Sequence, residues 1–343
     1  MTIKKTPRPQ VVLTGFADEC SNTKTMVEQF ATFAALGLQY YSVRFVNLGD
    51  GQGVKNVMKL TTDEIRQVVA LQNDYGLNVS SIGSPIGKIK LLDVNDGLKD
   101  AYVPFDEYLS NDVRRVCDLA HMFETKLIRG FSFYQPKDDD PKKYISQVVD
   151  RLGKIAETCH RSDLTFGLEV EANLVGCNGW ILAEIYRQVN HPAMKLIFDA
   201  ANLVVQGYTT AEIFEQYEVM KSGIGWMHIK DYNKTTVEVK GGRQDEDKMK
   251  WFVPCDRGYA GHEAILRDFA KILPSLTEYY QSRGVPGVFL DLEPHVKGGG
   301  QFGGYSGCDG LGVALRALCK TLDFVGIDYH LRDFEDLRAA RGF

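Results

Sequence analysis

From residue 165 onward, four short apolar runs each end on side chains that can hold a cation or carry a proton. The run 165–171 ends with Glu169 and Glu171, and 195–199 ends on Asp199. The run 224–229 contains His228, with Lys230 and Asp231 directly after it, and 288–293 closes on Asp291 and Glu293. Three carboxylates and an imidazole drawn to one point would cage a hard or borderline divalent ion: manganese foremost, with cobalt, magnesium or zinc also suited. Without such an ion the carboxylates would repel one another, and some would be driven to the protonated form. One acid after a strand is more often a helix cap or a solvent-facing group; the signal is the recurrence of such residues after four consecutive runs. Glu169 and Glu171 are two apart, so on a strand they face the same side, and spacing does not choose between them.

Those residues need a frame that brings distant chain segments together. Eight runs rich in Val, Ile, Leu and Phe read as strands buried on both faces: 11–16, 39–45, 78–83, 126–131, 165–171, 195–199, 224–229 and 288–293. Between them lie stretches of helical period. Thr61 and Glu64 form a capping box opening a helix that runs to about Gly76. After Pro141, the apolar positions from Ile145 to Cys159 fall on one face. Similar stripes place helices at about 25–36, 105–123, 180–189, 211–220, 262–283 and 311–322. Strand and helix alternating eight times predicts an α/β fold closed into a (β/α)8 barrel, more naturally than an open sheet. Three long irregular stretches, 47–60, 83–104 and 232–261, follow strands and so fall on the C-terminal face, where such barrels carry their sites. With no Pro/Gly/Ser-rich linker, residues 1–343 read as one domain: a barrel over about 10–323 and a charged extension, 324–343, that packs on it or joins a partner subunit.

Composition narrows the function. The 343 residues are 44% hydrophobic and 25% charged, as expected of a globular protein with a large core, and the formal net charge is −5. That balance argues against a nucleic-acid binder. There is no membrane-length apolar run and no secretory leader, so the expectation is a cytoplasmic protein without membrane contact. The seven scattered cysteines, never in C-x-x-C spacing, read as reduced thiols.

The stretches LEVEAN (168–173), FDAAN (198–202), MHIKD (227–231) and LEPH (292–295) resemble the four strand-end motifs of the xylose-isomerase-like sugar isomerases and epimerases, which include ketose 3-epimerases and hydroxypyruvate isomerases. YSVR (41–44), VSSIGSPIGK (79–88), IRGFSFY (128–134) and FDAANL (198–203) look closest to the branch acting on 3-keto-glycosides. The resemblance spans nearly the whole chain. It implies Glu169, Asp199, His228 and Glu293 as ligands of one divalent ion, with Glu171 left as a substrate contact. It implies proton abstraction beside a carbonyl, with Glu169 and Glu293 on opposite sides of the substrate as the catalytic acid/base pair. Ketose epimerases of this kind commonly carry a His where this chain has Asn202, and an Arg where it has Lys234. Both departures move the expectation away from a simple ketose 3-epimerase. Arg44, Arg129, Asn202, Lys230 and His295 are the further candidates for binding a small carbohydrate; Lys230 and Asp231, which follow the ligand His, either orient it or touch substrate. Phe302 and Tyr305, beside the Gly-rich stretch 298–304, could cover the sugar. Relatives commonly form dimers or tetramers, so a homo-oligomer is expected.

Rival readings fare worse. Residues 298–303 match G-x-G-x-x-G, but more glycine rather than a helix follows, so the match is a poor dinucleotide fingerprint. Residues 83–88 lack the spacing of a phosphate loop and the Ser or Thr after its Lys. The AP endonucleases of the same fold need several more histidines at strand ends. A sugar-binding barrel without catalysis needs no chelating carboxylates. A lyase that eliminates the aglycone from a 3-keto-glycoside shares the first step and remains the alternative reading.

Overall fold

The computed structural model describes residues 8–233, 251–298, 304–340 and 342. Eight parallel strands ring the core: β1 (Val12–Gly15), β2 (Tyr40–Val43), β3 (Asn78–Ile86), β4 (Leu127–Gly130), β5 (Thr165–Glu169), β6 (Met194–Asp199), β7 (Ile224–Ile229) and β8 (Phe289–Leu292). All eight coincide with the runs read from the sequence. Their order, β1-β8-β7-β6-β5-β4-β3-β2, leaves β1 and β2 as neighbours, and a parallel bridge between Phe16 and Ser42 nearly closes the (β/α)8 barrel. Inside, Thr14 Oγ1 reaches across from β1 to Ser80 Oγ on β3 at 2.8 Å.

The strands are continuous apolar runs because both faces are covered. Every residue of β5 and β7 is buried, one face against the barrel interior and the other against helices. Small residues sit beside large ones. A Cβ at Gly167 on β5 would lie 2.1 Å from the ring of Trp226 on β7, so only glycine leaves space for that indole.

The helices alternate with the strands as their periodicity requires. The capping box at Thr61 forms as expected, with Thr61 Oγ1 accepting from the Glu64 amide and Glu64 Oε2 accepting from the Thr61 amide. The stretch 262–283, expected as one helix, is two: His262–Phe269 and Leu273–Gln281. Pro274 falls in the first turn of the second, where its missing N–H is harmless; inside one long helix it would remove a hydrogen bond and clash with the preceding turn. β3 runs on to Ile86, three residues past its expected end, and β5 stops at Glu169, before Glu171. The irregular stretch after β2 contains an antiparallel ribbon pairing Phe45–Asn47 with Val54–Asn56, and Asp231–Tyr232 pairs with Phe252–Val253. Residues Gly299 to Gly303, with Phe302, and the segment holding Lys234 lie outside the described residues. Gly298 bridges to Tyr305 in antiparallel fashion, and the next helix begins only at Gly307.

The C-terminal extension begins by crossing the N-terminal end of the barrel. The Val11 amide donates to Asp328 O at 2.9 Å, the Asp328 amide to Pro9 O at 2.8 Å, and the Arg332 amide to Gly37 O at 2.8 Å. It thus ties together the segments that lead into β1 and β2, on the face opposite the strand ends that carry the acids. Among the described residues, no helix is long and apolar enough to cross a membrane.

Candidate active site

Parallel strands bring their C-terminal ends to one mouth, and the register sets what meets there. Glu169 is the last residue of β5 and Asp199 the last of β6; His228 is the penultimate residue of β7, and Glu293 follows β8 directly. Asp199 pairs in register with His228, and His228 with Asp291. One donor atom from each of Glu169, Asp199, His228 and Glu293 lies within 4.8 Å of the other three, and all four residues are buried. His228 Nδ1 stands 3.1 Å from Glu169 Oε1, 3.7 Å from Glu293 Oε2 and 3.9 Å from Asp199 Oδ2.

Three buried atoms of this cluster make no hydrogen bond: both imidazole nitrogens of His228, and Asp199 Oδ2. Lys230 lies beside Asp199 Oδ2 and offsets its charge, but leaving the imidazole nitrogens without a hydrogen bond in the interior is costly. Together with three hard carboxylate donors and one imidazole, they fit a divalent ion, which would satisfy the atoms the protein leaves open. Asp199 divides its labour: Oδ1 accepts from the Asn202 amide and caps the short helix Ala200–Val204, which leaves Oδ2 facing the cluster. That helix was not foreseen from the sequence, because five residues are too few to show a period.

A cationic shell surrounds the cluster. Lys230 Nζ lies 2.7 Å from Glu293 Oε2 and 2.9 Å from Asp199 Oδ2, in the second case without a directed hydrogen bond. Arg129 Nη1 is 3.3 Å from Glu169 Oε2 and 3.8 Å from Glu293 Oε1, so one guanidinium spans both glutamates. Arg44 Nη1 bonds Glu293 Oε1, while its Nη2 meets Asp18 Oδ2 and Glu19 Oε1, each at 3.1 Å. Both guanidinium groups lie over the Phe16 ring. Asn202 Nδ2 donates to Glu169 Oε1 at 3.3 Å and to Val170 O at 3.0 Å, so it orients the glutamate.

These neighbours set the ionisation. Burial pushes the Glu169 carboxyl up, but His228 and Arg129 outweigh it and hold the group at about 2. Burial likewise opposes ionisation of Glu293, and Lys230, His295 and Arg44 hold it well below the usual range. For Asp199 burial wins over Lys230, and its carboxyl is raised. His228 is raised because Glu169 and Glu293 outweigh burial. Asp291 accepts from Ser42 Oγ deeper in the barrel and is raised to about 6, burial outweighing the neighbouring His228.

A small recess of about 30 Å³ opens onto the cluster. Glu171, although past the end of β5, lines it and pairs with Lys88 at 2.8 Å. His295 lines it too, its ring edge-on to Phe252 with centroids 5.0 Å apart. Ten of the residues singled out from the sequence therefore gather at this mouth: Glu169, Asp199, His228, Glu293, Arg44, Arg129, Glu171, Asn202, Lys230 and His295. Asp231 stands apart: its Oδ1 accepts from the Tyr232 and Ala260 amides and holds the loop after β7.

Sequence reading passed over Asp18 and Glu19. Both are buried in the turn Ala17–Cys20 after β1 and pair with Arg44. The strand-end rule used for β5 to β8 would have found them had it been applied to β1. Lys88 was set aside with the rejected phosphate loop.

Residues 30–283 match the family model of the xylose isomerase-like TIM barrel. No curated protein matches the chain in sequence. Among solved structures, a xylose isomerase-like TIM barrel/4-hydroxyphenylpyruvate dioxygenase fusion protein is 16% identical, with a TM-score of 0.62. The match covers 92% of this chain, which spans only 43% of that one. A xylose isomerase-like TIM barrel protein from Mycobacterium smegmatis, in complex with magnesium, is 16% identical with a TM-score of 0.57, over 93% of this chain and 97% of that one. D-allulose 3-epimerase from Methylomonas sp., in complex with D-allulose, is 12% identical with a TM-score of 0.57, over 92% and 98%. At these identities the likeness is one of fold.

Proposed function

The chain belongs to the xylose isomerase-like TIM barrel family, and from that membership we propose that it is a divalent-metal-dependent sugar isomerase or epimerase. The carrying observation is the cluster of Glu169, Asp199, His228 and Glu293, buried, mutually within 4.8 Å and with both His228 nitrogens making no hydrogen bond. These four residues would hold the ion. When bound, it supplies Lewis-acid polarisation of a carbonyl and its neighbouring hydroxyl. The magnesium of the Mycobacterium smegmatis structure suits the same donor chemistry, and manganese suits it equally.

Glu169 and Glu293 carry the proton. Each is ionised and buried, and each is held by hydrogen bonds that fix its orientation: Glu169 by Arg129 and Asn202, Glu293 by Arg44 and Lys230. A carboxylate so placed removes the proton from a carbon beside the carbonyl, while its counterpart, having first taken up a proton from solvent, delivers that proton to the opposite face. Exchange of these two roles makes the reaction reversible. Burial of the cluster limits the water that would compete for the proton. The substrate we propose is a keto-sugar or 3-keto-glycoside. The motifs around Arg44, Lys88 and Arg129 support the latter, and the D-allulose 3-epimerase neighbour supports epimerisation at a keto-sugar.

The test is metal analysis of the purified protein, then deuterium wash-in on free, phosphorylated and 3-keto sugars. Exchange beside a carbonyl, dependent on the ion, is expected. A protein that binds no divalent ion and exchanges no proton would end this reading. Because elimination of an aglycone begins with the same step, release of aglycone from a 3-keto-glycoside is followed in parallel; release without an inverted sugar would make the protein a lyase.

A further inference from the structure

Lys230 and Asp231 are neighbours in the chain, yet they line different spaces. Lys230 lines the recess at the barrel mouth, and Asp231 lines a second cavity. This cavity measures about 640 Å³, within the range of small-molecule sites. It lies between the turn 254–261, the helix His262–Phe269 and the end of the helix Gly307–Val325. Nothing in the proton transfer above uses it.

Asp231 is 1% exposed and uses one oxygen only. Its Oδ1 accepts from the Tyr232 and Ala260 amides, at 2.7 and 2.9 Å, which ties the two ends of the loop together. A Cβ at Gly258 would stand 2.1 Å from the same oxygen, so the turn closes tightly on that side. Oδ2 makes no hydrogen bond among the described residues. His262, in the same wall, spends its Nε2 on Lys230 O at 2.8 Å. Tying the loop needs one acceptor, which an asparagine would give without burying a charge. A buried carboxylate with one oxygen unmet is costly unless a donor or a cation reaches it.

The rest of the wall repeats that demand. Asp256, Glu263 and Asp323 add carboxylates, against Lys320, which is solvent-exposed and reaches Asp256 Oδ2 only at 3.8 Å. Glu263 is met by Arg267 at 2.9 Å, and Asp323 accepts from Tyr329 Oη at 3.4 Å. Phe324 supplies an aromatic face at the rim, 68% exposed. Among the described residues these acids do not converge on one point as the barrel-mouth cluster does. Spread negative charge beside an aromatic ring suits an organic cation rather than a metal ion. We propose that this cavity is a second binding site, separate from the barrel mouth, for a small primary ammonium compound with a short apolar or aromatic body. The nitrogen, with three donors, meets Asp231 Oδ2, and the body lies toward Phe324. None of this depends on the sugar reading of the barrel mouth.

The experiment is titration calorimetry of the full-length protein with benzylammonium chloride, in excess magnesium so that the ammonium does not compete for the carboxylates at the barrel mouth. Benzyl alcohol is the neutral counterpart. Benzylammonium should bind at least about tenfold more tightly than the alcohol. Asp231→Asn keeps the acceptor for Tyr232 and Ala260 and should weaken benzylammonium about tenfold. Phe324→Ala removes an exposed ring and should weaken it about two- to fivefold. Glu169→Gln, at the barrel mouth, should leave the affinity unchanged. No binding in the millimolar range, equal binding of the alcohol, or a loss in Glu169→Gln that Asp231→Asn does not reproduce would each overturn the proposal. Melting curves show whether Asp231→Asn is folded; if it is not, Asp323→Asn and Phe324→Ala decide, and unchanged affinity in both would overturn the site. Should magnesium not bind, the metal reading fails, while Glu169→Gln still tells whether the ammonium sits at the mouth.

Discussion

The two halves of the barrel mouth follow different electrostatic plans. Strands β5 to β8 deliver Glu169, Asp199, His228 and Glu293, and this half leaves both His228 nitrogens without a hydrogen bond. Strands β1 to β4 deliver Asp18, Glu19, Arg44, Lys88 and Arg129, and each of the three cations faces a carboxylate: Arg44 on Asp18, Glu19 and Glu293, Arg129 on Glu169, Lys88 on Glu171. The first half leaves its imidazole without a hydrogen bond; the second pairs each of its cations with a carboxylate, with Arg129 Nε alone of its guanidinium atoms left without a hydrogen bond, and it aims the first. The difference separates groups placed for chemistry from groups placed to hold them, although all are buried and charged.

Four outcomes would sharpen or break that contrast, the largest first. Glu169→Gln and Glu293→Gln should each lower deuterium exchange by roughly 10²–10⁴-fold, the range of a lost general base. Full exchange in either variant would remove that residue from the acid/base pair and merge it with the supporting half. Arg44→Met strips the shared partner from Asp18, Glu19 and Glu293, leaving buried carboxylates uncompensated. Urea unfolding should show a loss of about 3–5 kcal/mol; a change under 1 kcal/mol would mean that the β1–β4 network is not what holds the site. Third, a chelator should lower the melting temperature, and excess manganese or magnesium should restore it. At an ion concentration about a hundredfold above Kd the stabilisation is about 2.7 kcal/mol. Equal melting temperatures with and without ion would contradict an ion site in the β5–β8 half.

The smallest effect gives a baseline away from the mouth. Lys221 and Lys271 bond Asp268 and depress its carboxyl to about 2. A carboxyl depressed in the folded state stabilises above its unfolded value near 4 and loses that contribution as pH falls toward about 2. In thermal melts over that interval, Lys221→Met should flatten the acid loss by less than about 1 kcal/mol, as befits a pair that solvent screens. A larger effect would place a partly exposed pair on a par with the buried ones.

Much of this was legible in the chain because it depends on local pattern. All eight strands are visible as apolar runs, since a parallel strand buried on both faces must be apolar along its length. The capping box at Thr61 is visible because its partners are three residues apart. The single helix expected over 262–283 fails for a reason equally present in the sequence: Pro274 marks the break, and an apolar stripe on both sides of it conceals the interruption. Glu19, three residues past the run 11–16, was missed only because acids after strands were sought from residue 165 onward.

Residue order alone settles which side chains stand at strand ends, and with them the kind of chemistry on offer, because strand length and apolar content are local properties. It leaves open which of those side chains touch. The choice between Glu169 and Glu171, equal by spacing, is made by where β5 stops and by Lys88, which claims Glu171 from a strand and loop far away in the chain. The union of Glu19 with His295 likewise exists only once the barrel has closed, since closure alone sets the turn after β1 against the segment after β8.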